Sequence, residues 1–198
     1  MIVAFTGAGI SKESGIDTFQ DRPGIRDKLT RTYACRHPEK YREVMREFVE
    51  MVQDKEPNDA HIALAEYDIP VITMNIDKLH TKAGTKHLIE LHGRLPNEDE
   101  LGHCDRLYNV PVLYEDPAPK YQEGYDLVWL MDCRDILLVI GASTYTNVSS
   151  LLRQNVRLQG GKVVEIQNNA SVEVRKFLES HKEYMESYED FMKRMDDM

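Results

Sequence analysis

The sequence predicts an α/β fold, a parallel sheet covered by helices on both faces. Short β-branched runs that read as buried strands recur along the chain, helical patterns separate most of them, and chemistry-bearing residues follow directly on several runs. The runs are Ile2 to Thr6, Pro70 to Met74, Leu88 to Leu91, Val110 to Tyr114, Ile136 to Ile140 and Lys162 to Ile166. Between Glu39 and Lys55, Tyr41, Val44, Met45, Phe48, Val49 and Val52 fall on one helical face. Asn58 is placed to cap a helix over Asp59 to Tyr67, with Pro57 closing the helix before it. Leu95 to Asn109 is polar and aperiodic, a loop or small excursion, and Tyr114 to Gly124, with Pro117 and Pro119, is a second irregular stretch. Glu183 to Met198 reads as a charged terminal helix with Tyr184, Tyr188, Phe191 and Met195 on one side.

At 198 residues, 41% hydrophobic and 30% charged, the chain has the size of one compact domain. A net charge of −9 and a pI near 5.3 argue against nucleic acid, whose binders present basic faces. Such acidity favours a lysine-rich partner only weakly; a solvated acidic surface explains it first. Cys35, Cys104 and Cys133 are far apart and form no Cys-x-x-Cys pair, so neither a disulfide framework nor a zinc knuckle is expected, and a reducing cytoplasm fits. The start lacks a basic leader and no apolar run approaches bilayer length, so neither secretion nor membrane insertion is expected.

Gly7-Ala8-Gly9-Ile10-Ser11 follows the first strand directly, and two residues without bulky side chains let backbone N–H groups approach an anion there. This is a candidate pyrophosphate cradle in a Rossmann-like sheet, although Lys12 stands where the usual fingerprint has its third glycine. Asn75 and Asp77 lie just beyond a strand's carboxyl end, where ligands gather in open sheets and where helix caps also occur. His61 and His80 read as structural histidines.

These motifs together resemble the sirtuin family. The run Gly7 to Phe19 is similar to its GAGIS…SGI…TF signature, Pro57 to Leu64 to the helix before its second strand, and Asn75-Ile76-Asp77 to its asparagine–aspartate motif. Glu90-Leu91-His92-Gly93 resembles the segment bearing its catalytic histidine, Gly141-Ala142-Ser143 its Gly-Thr-Ser turn, and Gln167-Asn168 its adenosine-side motif. The resemblance spans roughly residues 2 to 170 and implies NAD as cofactor and an acylated lysine of a protein or peptide as partner. It implies that Gly7, Ala8, Gly9, Ser11, Ser14, Phe19, Gln20, Gly141, Ala142, Ser143, Gln167 and Asn168 hold the cofactor, with Asp77 at the carboxamide and Asn75 at the ribose. His92 would be the general base, an imidazole suited to neutral pH, and Val112, Leu113, Tyr114 and Glu115 would lie along the peptide. In the mechanism that this resemblance implies, the acyl carbonyl oxygen would attack the anomeric carbon as nicotinamide leaves, and the acyl group would pass to ADP-ribose.

Four departures qualify the match. The zinc-ribbon cysteines are absent, leaving His103 and Cys104 in a reduced small domain near residues 94–109, so no metal site is expected. Gln20 replaces the family arginine, with Arg22 a displaced substitute. Tyr114-Glu115 is a partial Phe-Gly-Glu motif, and the helix that usually precedes the first strand is missing. A NAD glycohydrolase or ADP-ribosyltransferase, and a non-catalytic module that binds NAD or ADP-ribose, therefore remain competing readings. The loop from Asp21 to His37 is expected to be mobile without NAD.

Overall fold

The computed structural model describes residues 1–16, 24–144 and 146–196, the last two by their backbone. Five parallel strands, β1 (Ile2–Thr6), β2 (Val71–Thr73), β3 (Leu88–Glu90), β4 (Ile136–Ile140) and β5 (Lys162–Ile166), form one sheet in the order β3-β2-β1-β4-β5. The central strands β1 and β4 are buried at every position, because alternate residues feed two different cores. Val3, Phe5, Leu137 and Val139 pack on one face with Leu127 and Val128 of α6 (Lys120–Trp129) and Leu152 and Val156 of α7 (Asn147–Leu158). Ile2, Ala4, Ile136 and Leu138 pack on the other with Leu64 of α4 (Asp59–Glu66) and Val174 and Leu178 of α8 (Ala170–Ser180). Each such large side chain contributes roughly 1.5–3 kcal/mol by leaving water. No helix among the described residues is long and apolar enough to cross a membrane.

The Asn58 cap is as expected, its side chain accepting from Ala60 N at 3.0 Å. A third core gathers Tyr41, Met45 and Phe48 of α3 (Pro38–Val52) with Leu79 of α5 (Leu79–Ala83), Leu95, Cys104 and Leu113. Segment 94–109, expected as a small excursion, packs here with one 3-10 turn, Cys104–Arg106.

Arginines hold this lobe together. Arg31, at the start of α2 (Arg31–Arg36), donates Nε and Nη2 to the Asp116 carboxylate at 2.7 and 2.6 Å, and donates further to the carbonyls of Asp105 and Leu107 at 2.7 Å each. Arg42 donates to Asp105 at 2.6 Å, and Arg94 grips Glu100 through two bonds of 2.7 Å, which hold that carboxyl down to about 2. Bidentate guanidinium–carboxylate pairs carry geometry as well as charge.

Four expectations are corrected. Val110 to Tyr114 is not a strand of the sheet: left-handed backbone at Asn109 (φ 62°) and Glu115 (φ 80°) bounds it, and it pairs by single bonds. Val112 N donates to His92 O at 2.9 Å, Tyr114 N to Leu29 O at 2.9 Å, and Arg31 N to Tyr114 O at 3.0 Å. The stretch expected to stay irregular through Gly124 becomes α6 at Lys120, because Pro119 sits before the first turn, where a missing N–H costs nothing. The terminal helix is α9 (Tyr188–Asp196), preceded by a 3-10 turn over Lys182–Tyr184; Tyr188 and Phe191 share the face toward the α6 core, while Tyr184 packs with the α8 core and the side chain of Met195 lies outside the described residues. The loop expected over Asp21 to His37 contains α1 (Ile25–Lys28) and α2, and its beginning, including Arg22, lies outside the described residues.

Arg31→Ala would leave the Asp116 carboxylate, 2% exposed, without its cation. A loss of about 3–5 kcal/mol is expected in urea unfolding, as for other broken buried pairs. A wild-type midpoint would refute the clamp.

Candidate active site

The turns after β1 and β4 touch through glycine. A Cβ on Gly7 would stand 2.7 Å from the Ala142 Cα, and one on Gly9 would stand 2.5 Å from the Gly141 Cα. Gly141 has φ 58°, a left-handed conformation suited to glycine. Gly9 N donates to Gly141 O at 2.9 Å, and Gly7 N to Ile140 O at 3.0 Å. From this contact the chain turns into a 3-10 helix, Ala8–Ser14. Underneath, the buried guanidinium of Arg153 donates to Ala142 O at 2.8 Å and to Glu165 at 3.0 Å, and Gln167 Nε2 reaches the same carbonyl at 3.2 Å.

Ser11, at the first 3-10 turn, donates its hydroxyl to Asp77 Oδ2 at 2.7 Å, and Asn75 Nδ2 donates to Ser11 Oγ at 3.0 Å and Asp77 Oδ2 at 3.3 Å. Asp77 Oδ1 also accepts from Leu79 N at 3.0 Å, so the residue caps α5 while its other oxygen faces Ser11. Burial pushes the Asp77 carboxyl above its ordinary range, although these donors pull the other way.

His92 follows β3 by two residues. Its Nδ1 lies 2.9 Å from Met74 O and its Nε2 lies 2.8 Å from the Tyr121 hydroxyl. A carbonyl only accepts, so Nδ1 carries the proton and Nε2 the lone pair of the neutral ring. Burial pushes the imidazole below its usual value, and the Met74 bond partly opposes this.

Beneath these groups Thr6 Oγ1 donates to Thr73 Oγ1 at 2.8 Å and lies 2.9 Å from His80 Nε2. The rings of His80 and His61 sit 4.8 Å apart, and His61 Nδ1 is 3.1 Å from Asn58 Oδ1. Asn58 in turn donates to Ile10 O at 2.7 Å and Ser14 Oγ at 3.1 Å. Both histidines are thus interior supports of the turn, as their apolar surroundings suggested, and burial drives His61 down to about 4 and His80 well below its usual value.

A family model described as the Sir2 family matches residues 7–177. The chain belongs to the Sir2 family. It is 33% identical to an NAD-dependent protein deacylase of Thermococcus sibiricus, covering 86% of this chain and 81% of that protein, and 33% identical to one of Pyrococcus furiosus, covering 84% and 81%. A Sir2 homologue solved with NAD superposes with a TM-score of 0.77 at 24% identity, covering 93% of this chain and 90% of that one, a likeness of fold. A Sir2 protein solved with an inhibitor, 2′-O-acetyl-ADP-ribose and a deacetylated p53 peptide superposes with a TM-score of 0.74 at 25% identity, covering 92% and 94%.

Within this Sir2 fold, Gly7, Ala8, Gly9, Ser11, Asn75, Asp77, His92, Gly141, Ala142 and Ser143 lie at the carboxyl ends of adjacent strands or in the turns that leave them. Ser14 turns to Asn58, while Gln167 and Asn168 are exposed just past β5. Phe19 and Gln20 lie outside the described residues. Of the expected peptide-contacting side chains, Val112 is half-buried and Tyr114 exposed, but Leu113 is buried in the small-lobe core and Glu115 is tied to Thr32 by bonds of 2.7 and 2.8 Å. Tyr121 and Arg153 were missed: the prolines before Tyr121 masked its helix, and Arg153 meets its carbonyl only in three dimensions. Among the described residues no group of His, Cys, Asp or Glu is arranged to hold a metal; Cys104 is buried and donates to Leu101 O, and Cys35 is exposed.

Gly9→Ala forces a methyl into the Gly141 backbone and is expected to cost about 1–3 kcal/mol in urea unfolding; an unchanged midpoint would show that the two turns separate freely. The histidine pair gives a second test. Because both rings bind protons less readily folded than unfolded, their contribution is complete above pH ~6.5 and lost as pH falls toward about 4. Urea midpoints should fall between those limits, and His61→Gln should flatten the decline; an equally steep decline in that variant would exclude His61 as a cause.

Proposed function

We propose that this Sir2 protein is an NAD-dependent protein-lysine deacylase that cleaves the nicotinamide–ribose bond and passes the acyl group of an acylated lysine to ADP-ribose. The observation that carries the reading is His92: its proton is committed to Met74 O, its Nε2 is basic, and it shares one strand-end cluster with Ser11, Asn75 and Asp77. That cluster fits NAD on chemical grounds. A carboxamide offers both donors and an acceptor, which an Asn amide and an Asp carboxyl can answer together. The Gly7–Gly141 contact leaves two backbone turns free of side chains for the pyrophosphate.

Loss of nicotinamide makes the anomeric carbon electron-poor, and the carbonyl oxygen of the acyl-lysine captures it. Asp77 and Asn75 hold the carboxamide and ribose in this reading. His92 Nε2 takes the proton of a ribose hydroxyl, so that the hydroxyl oxygen can attack the captured acyl carbon. Water then completes release of free lysine and O-acyl-ADP-ribose. Val112 N, which donates to His92 O at 2.9 Å, ties the expected peptide segment to the base. Residues 94–109 are the trimmed counterpart of a zinc module in this reading, with the Arg31, Arg42 and Arg94 ion pairs taking over its structural work. The net charge of −9 suits a lysine-bearing partner better than a nucleic acid, and three free cysteines suit a reducing cytoplasm.

Purified protein, NAD and a library of acyl-lysine peptides should release nicotinamide only with peptide present, and form O-acyl-ADP-ribose. His92→Ala should cut this turnover by about 10²–10⁴-fold, the range for loss of a general base, while NAD still binds by calorimetry. With His92 below its usual value, kcat/KM should hold to below pH 6.5 before its acid limb falls, since the base must be neutral. Nicotinamide release without peptide would replace the deacylase with a glycohydrolase or transferase.

A further inference from the structure

Tyr121 is the second residue of α6, and its ring, partly buried, packs against the apolar core that contains Ile72 and Leu91. The ring centroids of Tyr121 and His92 are 5.9 Å apart at an interplanar angle of 44°, and the phenolic oxygen reaches Nε2 at 2.8 Å. The opposite nitrogen is committed, because Met74 O at 2.9 Å has no proton to give. In the neutral ring Nε2 therefore has only a lone pair, and the phenol is the donor of this bond. One in-plane lone pair serves one well-aligned donor at a time.

We propose that Tyr121 is a displaceable cap on the base: its hydroxyl occupies His92 Nε2 in the free protein and yields it only to a ribose hydroxyl of the bound dinucleotide. The inference rests on His92 being the base. No covalent bond changes in the exchange: the phenol keeps its proton, one hydrogen bond to Nε2 is given up and another forms, and the proton that Nε2 later removes is the ribose hydroxyl's. Tyr121 thereby makes availability of the base depend on a ligand that presents a hydroxyl at this atom. A dinucleotide lacking it leaves the cap in place.

The test is Tyr121→Phe, which keeps the ring and removes only the hydroxyl. In the free variant the ¹⁵N resonance of His92 Nε2, recorded above its titration, should move toward that of an imidazole nitrogen accepting no hydrogen bond. The dissociation constant for ADP-ribose should fall by about 2- to 10-fold, the equivalent of one competing neutral hydrogen bond. The KM for NAD should follow it, with the change in KM rather than kcat. In a His92→Ala background the same substitution should leave ADP-ribose affinity unaltered, so the double-mutant cycle assigns the effect to this pair. An unmoved Nε2 resonance, or weaker ADP-ribose binding in Tyr121→Phe, would overturn the cap. If His92→Ala kept full deacylation, the base assignment would fall instead, while the Nε2 resonance would still decide whether the phenol caps it.

Discussion

The contact on which the site depends is backbone against backbone, where the turn leaving β1 meets the turn leaving β4. Gly7 and Gly9 lie so close to Gly141 and Ala142 that no side chain fits between them. This closeness starts the 3-10 helix at Ala8 and delivers Ser11 to Asp77, a residue that arrives on a different strand end. Arg153 maintains the other side of the contact, since its guanidinium holds the Ala142 carbonyl while Glu165 answers its charge. A bulky residue at either glycine would therefore act on the hydrogen-bonded cluster as well as on the turn itself.

A second dependency runs through the small lobe. The segment at 110–114 is fixed from both sides, by His92 through Val112 N and by Leu29 and Arg31 through the backbone of Tyr114. Arg31 adds its four side-chain bonds to Asp116, Asp105 and Leu107. A displacement of α2 would thus be felt at His92 through a short chain of hydrogen bonds. In so small a lobe, ion pairs with buried carboxylates and a compact apolar cluster provide rigidity.

Much of this was legible in the sequence where the signal is local. Strands β1, β2 and β4 announced themselves because two-sided burial demands continuous apolar runs, the partly exposed edge strands β3 and β5 through their β-branched residues, and the cap at Asn58 because Asn before a helix has a physical task. Val110 to Tyr114 misled because β-branched composition describes any extended half-buried segment, and only its left-handed flanks at Asn109 and Glu115 separate a bridge from a strand. Tyr121 stayed hidden behind two prolines that read equally well as loop or helix start. The turn from Gly7 to Ser11, Asn75, Asp77 and His92 were visible through their resemblance to a family, but the bonds that join Ser11, Asn75 and Asp77 were not. Ser11 and Asp77 are 66 positions apart in the chain, and such pairing is a property of sheet order alone.

That sheet order also decides which nitrogen of His92 keeps its lone pair, the atom that acts as base in the proposed reaction. Histidines in catalytic sites are often oriented by a carboxylate, which raises the imidazole pKa as it fixes the tautomer. Here the orienting group is the carbonyl of Met74, whose own N–H donates to Thr6 O at 3.0 Å and so belongs to the β1–β2 ladder. A neutral carbonyl aligns the ring with far less bias toward the imidazolium than a carboxylate would exert, and burial then prevails in setting its protonation. The neutral ring and the free lone pair at Nε2 accordingly follow from one backbone hydrogen-bond register, without a charged residue assigned to either task.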